Sequence, residues 1–66
     1  MTLTINGERR SFDGPADVAG LVASLGLDSR KVAVELNLEI VPRSAYGLTP
    51  LADGDRIEIV HFIGGG

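Results

Sequence analysis

The chain has 66 residues, a net charge of −3, six Lys plus Arg, one Tyr, two Phe and neither Cys nor Trp. That is one domain, and a domain of this size buries only about 60% of its unfolded surface, which leaves little room for an internal catalytic cleft. The missing cysteines exclude disulfides, thiolate metal sites and a thiol nucleophile, and the sparse basic charge argues against a nucleic-acid footprint.

No apolar run approaches the roughly 20 residues needed to cross a membrane. The opening Met1-Thr2-Leu3-Thr4-Ile5 lacks the basic and apolar regions of a signal peptide, so a cytoplasmic protein is expected. Thr2 to Ile5 alternates polar and apolar residues and runs into Asn6-Gly7. Asn-Gly after such a pattern signals a hairpin, because both central residues of a type I′ turn need positive φ. The return strand is Glu8 to Phe12, and a two-residue loop pairs Ile5 with Glu8 and Met1 with Phe12. Arg9-Arg10 reads as a solvated hairpin edge.

Asp13-Gly14-Pro15-Ala16 is a turn, and Asp17 stands where a helix N-cap is wanted. Val18, Leu21, Val22 and Leu25 follow at the spacing of one apolar helix face, about two and a half turns long. Gly26 suits the left-handed residue that ends a helix, and Leu27 can pack back over the last turn. Gly20 inside this helix costs roughly 1 kcal/mol relative to alanine, so tertiary packing must hold it.

From Lys31 to Leu36 a second alternating run puts Val32, Val34 and Leu36 on one face. Asn37-Leu38-Glu39 is a short connection, and Ile40-Val41 begins a strand that Pro42 must end or leave at an edge. Ser44 to Tyr46 fits one helical turn, Gly47-Leu48-Thr49-Pro50 is loop, and Asp53-Gly54-Asp55 turns into the last strand. In that strand Ile57 and Ile59 share a face with His61 and Ile63, while Glu58, Val60 and Phe62 point the other way. The order β, β, α, β, β, short turn, β predicts an α+β fold of the β-grasp type. Its mixed sheet of about five strands packs on one helix, with the last strand central beside the first. The domain is expected over residues 1–63, with a flexible C-terminal glycine tail over 64–66.

Three glycines in a row, Gly64-Gly65-Gly66, cannot be ordered by the chain itself, since glycine loses the most freedom on folding. A bare backbone of this kind can thread into another protein, and its tip is the unhindered α-carboxylate of Gly66. That carboxylate is the candidate reactive group. His61 lies five residues back in a chain that rises about 3.3 Å per residue, so it is read as a strand residue and not as a base for Gly66. Val60 and Phe62, with Glu58 on the same face, form a candidate docking patch beside the tail.

Asn6-Gly7, the single helix, Val34-Glu35-Leu36-Asn37, Val41-Pro42-Arg43, Leu51-Ala52-Asp53-Gly54-Asp55 followed by Ile57-Glu58-Ile59-Val60, and the terminal glycines together resemble the thiamin-biosynthesis sulfur-carrier (ThiS) family. That family is ubiquitin-like in fold, and the resemblance runs from Met1 to Gly66. It implies a carrier and not an enzyme. An E1-like adenylyltransferase of the ThiF type would use ATP and Mg²⁺ to adenylate Gly66. A persulfide sulfur donor would convert the adenylate to a thiocarboxylate, which a thiazole synthase of the ThiG type would consume. The carrier itself would hold no metal or cofactor. Gly64 and Gly65 would serve threading; the third glycine, Gly64, and the helix residue Gly20 depart from the usual family pattern. A sister carrier for molybdopterin, a thiolated nucleic-acid base or protein conjugation shares the same tail chemistry. A β-grasp binding module with an inert tail is the remaining alternative.

Overall fold

The computed structural model describes residues 1–14 and 16–62. Five strands and one helix are formed in the order β1 (Thr2–Ile5), β2 (Glu8–Ser11), α1 (Val18–Ser24), β3 (Val32–Leu36), β4 (Glu39–Val41) and β5 (Arg56–His61). The strands make one mixed sheet in the order β2-β1-β5-β3-β4, so the last strand lies in the centre beside the first, as expected of a β-grasp. β5 runs parallel to β1 and antiparallel to β3.

The first hairpin follows its sequence signal. Asn6 and Gly7 take φ values of 51° and 82°, Ile5 pairs with Glu8, and Phe12 N donates to Met1 O at 2.9 Å. α1 begins at Asp17, whose side chain accepts from Gly20 N at 2.8 Å. It ends in a left-handed Gly26 with φ 73°, and Leu27 N donates back to Val22 O at 3.2 Å. This closure satisfies carbonyls that the last turn leaves over and stops the helix at seven residues, half a turn short of the expected length. Leu25 is then the cap residue, half-buried against the core.

Two 3-10 turns complete the described residues. Ser29–Lys31 is capped by Asp28 and takes Lys31 out of β3. Arg43–Leu48 extends the single turn expected at Ser44 to Tyr46. It buries Tyr46, whose hydroxyl donates to Val32 O at 3.2 Å.

The core lies between the helix and one face of the sheet. Val18, Leu21 and Val22 from α1 meet Leu3 and Ile5 from β1, Val32 and Val34 from β3, and Ile57 and Ile59 from β5. The strand residues that point inward therefore follow the period of two in the sequence. Among the described residues, no helix is long and apolar enough to cross a membrane.

Candidate functional site

The candidate site is the last strand, β5, and the residues around it. β5 starts from a turn sewn to the beginning of β1. Gly54, at φ 89°, donates its N–H to Thr2 O at 2.7 Å, and Asp53 Oδ1 accepts from Thr2 N at 2.6 Å. On one flank β3 pairs with β5 from Ile57 to His61, and Phe62 N still donates to Lys31 O at 2.8 Å.

On the other flank β1 stops level with Ile57, and the Asn6 side chain continues the ladder in its place. Asn6 Oδ1 accepts from Ile59 N at 2.7 Å and Asn6 Nδ2 donates to Ile59 O at 3.2 Å. Asn37 holds the start of β5 with one side-chain and one main-chain bond: its Oδ1 accepts from Arg56 N at 3.0 Å and its main-chain N–H donates to Arg56 O at 2.8 Å. Two asparagines, each at the first central position of a tight turn, thus clip the central strand from opposite sides. The sequence marks Asn6 as a turn residue only; the clip joins positions 53 residues apart.

The two faces of β5 differ in environment. Ile57 and Ile59 are buried, whereas Val60 is 60% and Phe62 48% exposed on the opposite face. Val60 stands directly across from the exposed Ala33. Glu58 stands across from Glu35, and Glu35 across from Ile40, which is 77% exposed. Opposed like charges on neighbouring strands are unfavourable. Among the described residues the one ion pair is Arg30–Asp28, so neither Glu35 nor Glu58 is neutralised by a salt bridge there. The expected patch of Glu58, Val60 and Phe62 is therefore exposed as a unit, and Ala33 and Ile40 widen it in a way the linear sequence conceals.

His61 falls on the inner-face side of β5. It is exposed at the rim of a shallow open groove of ≈ 320 Å³ that it shares with Asn6, Arg10 and Leu25. Among the described residues, no three His, Asp or Glu side chains gather where they could hold a metal ion. Gly64, Gly65 and Gly66 lie outside the described residues, so the expected threading segment and reactive carboxylate have no geometry here.

A family model described as the ThiS family matches residues 3–66. A thiazole synthase from Paramagnetospirillum magneticum is 59% identical over all 66 residues of this chain, which cover 20% of that protein. The chain thus spans a fifth of the length of this relative. The sulfur carrier protein ThiS of Bacillus subtilis is 47% identical over 49 residues, 74% of each chain. The crystal structure of a thiamine biosynthesis protein (ThiS) from Geobacter metallireducens matches with a TM-score of 0.85 at 39% identity, covering 100% of both chains. The match of the family model along nearly the whole sequence, with the carrier from Bacillus and the shared β-grasp architecture, establishes that this chain belongs to the ThiS family.

Proposed function

We propose that this chain is a sulfur carrier in thiamin biosynthesis and that, when Gly66 is the terminal residue, its α-carboxylate is the group that bears the sulfur. The observation that supports this most is the anchoring of β5. The central strand is held on both flanks, by β3 as far as Phe62 and by Asn6 at Ile59, and in the sequence Ile63 and the glycine segment follow. A firmly held strand that leads into residues without side chains is suited to presenting a main-chain terminus at a fixed place on a partner.

A carboxylate is a poor acyl donor until it is joined to a better leaving group. In the proposed sequence a carboxylate oxygen of Gly66 attacks the α-phosphorus of ATP on an E1-like adenylyltransferase, forming the acyl-adenylate and releasing pyrophosphate. The terminal sulfur of a persulfide attacks the acyl carbon and AMP departs. Reductive cleavage of the resulting acyl disulfide by a thiol leaves the thiocarboxylate, which then yields its sulfur to a thiazole synthase. The carrier's share is positioning. Val60, Phe62 and Glu58 dock the outer face, and Gly64 and Gly65 pass through a channel too narrow for a Cβ. Assignment to thiamin biosynthesis, in preference to a sister pathway, rests on membership of the ThiS family and on the relatives' names.

The test is intact-mass analysis of protein ending in Gly66 after incubation with the adenylyltransferase, ATP, Mg²⁺, a persulfide-loaded sulfurtransferase and a thiol reductant. A mass gain equal to replacement of one oxygen by sulfur, abolished by removing Gly66, is expected. No gain, or a gain that survives removal of Gly66, would overturn the proposal.

A further inference from the structure

The chain builds the same two-residue reversal twice, and only once from residues that favour it. At the β1–β2 hairpin, Asn6 and Gly7 have φ values of 51° and 82°; at the β3–β4 hairpin, Asn37 and Leu38 have 50° and 71°. Glycine adopts this region freely, whereas a leucine there presses its Cβ against the backbone. Burial does not offset the strain at Leu38, which is 89% exposed. Nor does the turn need an apolar residue, because Asn37 secures it alone through Arg56 N and Asp55 Oδ1. Backbone strain at an exposed residue that does nothing for its own fold is a pointer to function.

The surroundings define what would cover it. Ile40 lies two residues on, in the edge strand, and is 77% exposed. Glu35 faces Ile40 across the ladder, Glu58 lies beyond it, and Glu39 follows Leu38, while residues 32–42 contain no Lys or Arg. Arg56 stands beside Asn37, but the carboxylates of Glu35, Glu39, Asp55 and Glu58 outnumber it, and an apolar knob in net acidic surroundings fits an apolar pocket rimmed by basic side chains. A second copy of this chain is a poor occupant, because β4 is three residues long and runs into Pro42, which leaves little edge for strand pairing.

We infer that Leu38 and Ile40 anchor this chain on a thiazole synthase whose complementary site is an apolar pocket with a basic rim. The inference rests on the carrier reading above. It takes this occupant over the adenylyltransferase because the thiazole synthase of Paramagnetospirillum magneticum contains a segment aligned with all 66 residues of this chain. The strained turn holds Leu38 out from the hairpin, so the contact is preformed and little freedom is lost on binding.

The experiment compares the unaltered protein, Leu38→Gly and Leu38→Met for affinity to the purified thiazole synthase and adenylyltransferase of the same host, and for thermal midpoint. Leu38→Gly relieves the turn and is expected to raise the midpoint by roughly 4 °C, since a residue incompatible with positive φ is being removed. It is expected to weaken binding to thiazole synthase about tenfold, as loss of an anchor does. Leu38→Met keeps an adaptable apolar side chain and should bind within about twofold of the parent. Equal affinity of Leu38→Gly and parent overturns the inference and leaves the carrier reading standing; an unraised midpoint removes its premise. A loss confined to the adenylyltransferase overturns the assigned occupant. If the unaltered protein fails to bind thiazole synthase, the carrier reading falls and takes the inference with it.

Discussion

Replacing Asn6 by alanine tests whether the side-chain clip holds the exit of β5. The change removes two hydrogen bonds, to Ile59 N at 2.7 Å and to Ile59 O at 3.2 Å, each with a net contribution of about 1 kcal/mol. It also places an alanine at φ 51°, a left-handed position that asparagine tolerates better than alanine, at a cost of up to about 1 kcal/mol. The expected loss is therefore up to about 3 kcal/mol, against the roughly 3–10 kcal/mol that a domain of this length holds at about 0.05–0.15 kcal/mol per residue. Asn6→Gly keeps the backbone at ease and loses only the clip, so it should cost about 2 kcal/mol, and the gap between the two variants isolates the φ contribution. Urea unfolding gives both numbers, and amide exchange locates them. The Ile59 N–H, whose acceptor is Asn6 Oδ1, should exchange faster in both variants while the amides facing β3 keep their protection. An Asn6→Ala loss below about 0.5 kcal/mol, the range of ordinary surface substitutions, would refute the clip. So would unchanged exchange at Ile59.

Tyr46→Phe keeps the packing but leaves Val32 O without the 3.2 Å hydroxyl bond, and a loss of about 1 kcal/mol in chemical denaturation is expected. The Asp28 carboxyl is drawn down to about 2, chiefly by the side-chain hydrogen bonds from Arg30 and then by Arg30 N. Its folded pKa lies below the unfolded value of 3.8, so the contribution of this pair is full above that value and vanishes as pH falls towards 2. An NMR titration of Asp28 with an ordinary midpoint would contradict this. Phe62→Asp is expected to unfold at the parent's denaturant concentration yet weaken binding to the adenylyltransferase about tenfold, because Phe62 is half-exposed and beyond the buried part of β5; unchanged affinity removes Phe62 from the docking face. Gly65→Val should fold normally and abolish sulfur loading in the intact-mass assay, and normal loading would show that the channel tolerates a branched side chain.

How much of this was legible in the chain depended on how local the signal was. Asn6-Gly7 announces its own turn, Asp17 its own cap and Gly26 its own helix end, because each rests on contacts within a few residues. The alternation along β5 assigns Ile57 and Ile59 inward and Val60 and Phe62 outward without reference to any partner strand. Asn37-Leu38 gives no such signal. Leucine is a residue one does not look for at positive φ, so the second tight turn reads as an ordinary connection and its strain shows only in the backbone angles. The burial of Tyr46 and the clip between Asn6 and Ile59 depend on elements brought together by the fold, and no window along the sequence contains both partners.

The period of two along β5 also explains how so small a domain can combine a core with the exposed face proposed for docking. A strand covered by a helix on one side offers its odd residues to the core and its even ones to solvent, so both tasks share one backbone without sharing side chains. Ile57 and Ile59 belong to the core cluster, while Glu58 and Val60 contribute nothing to it. Substitutions on the two faces should therefore separate, with inward changes moving stability and outward ones moving affinity. A register slip of one residue would exchange the faces. The two asparagine clips, one at Arg56 and the other at Ile59, fix that register at the first residue of the strand and again at its fourth. If the outer face docks a partner as proposed, its placement is held by the Asn6 and Asn37 side chains, which lie outside the Glu58, Val60 and Phe62 patch.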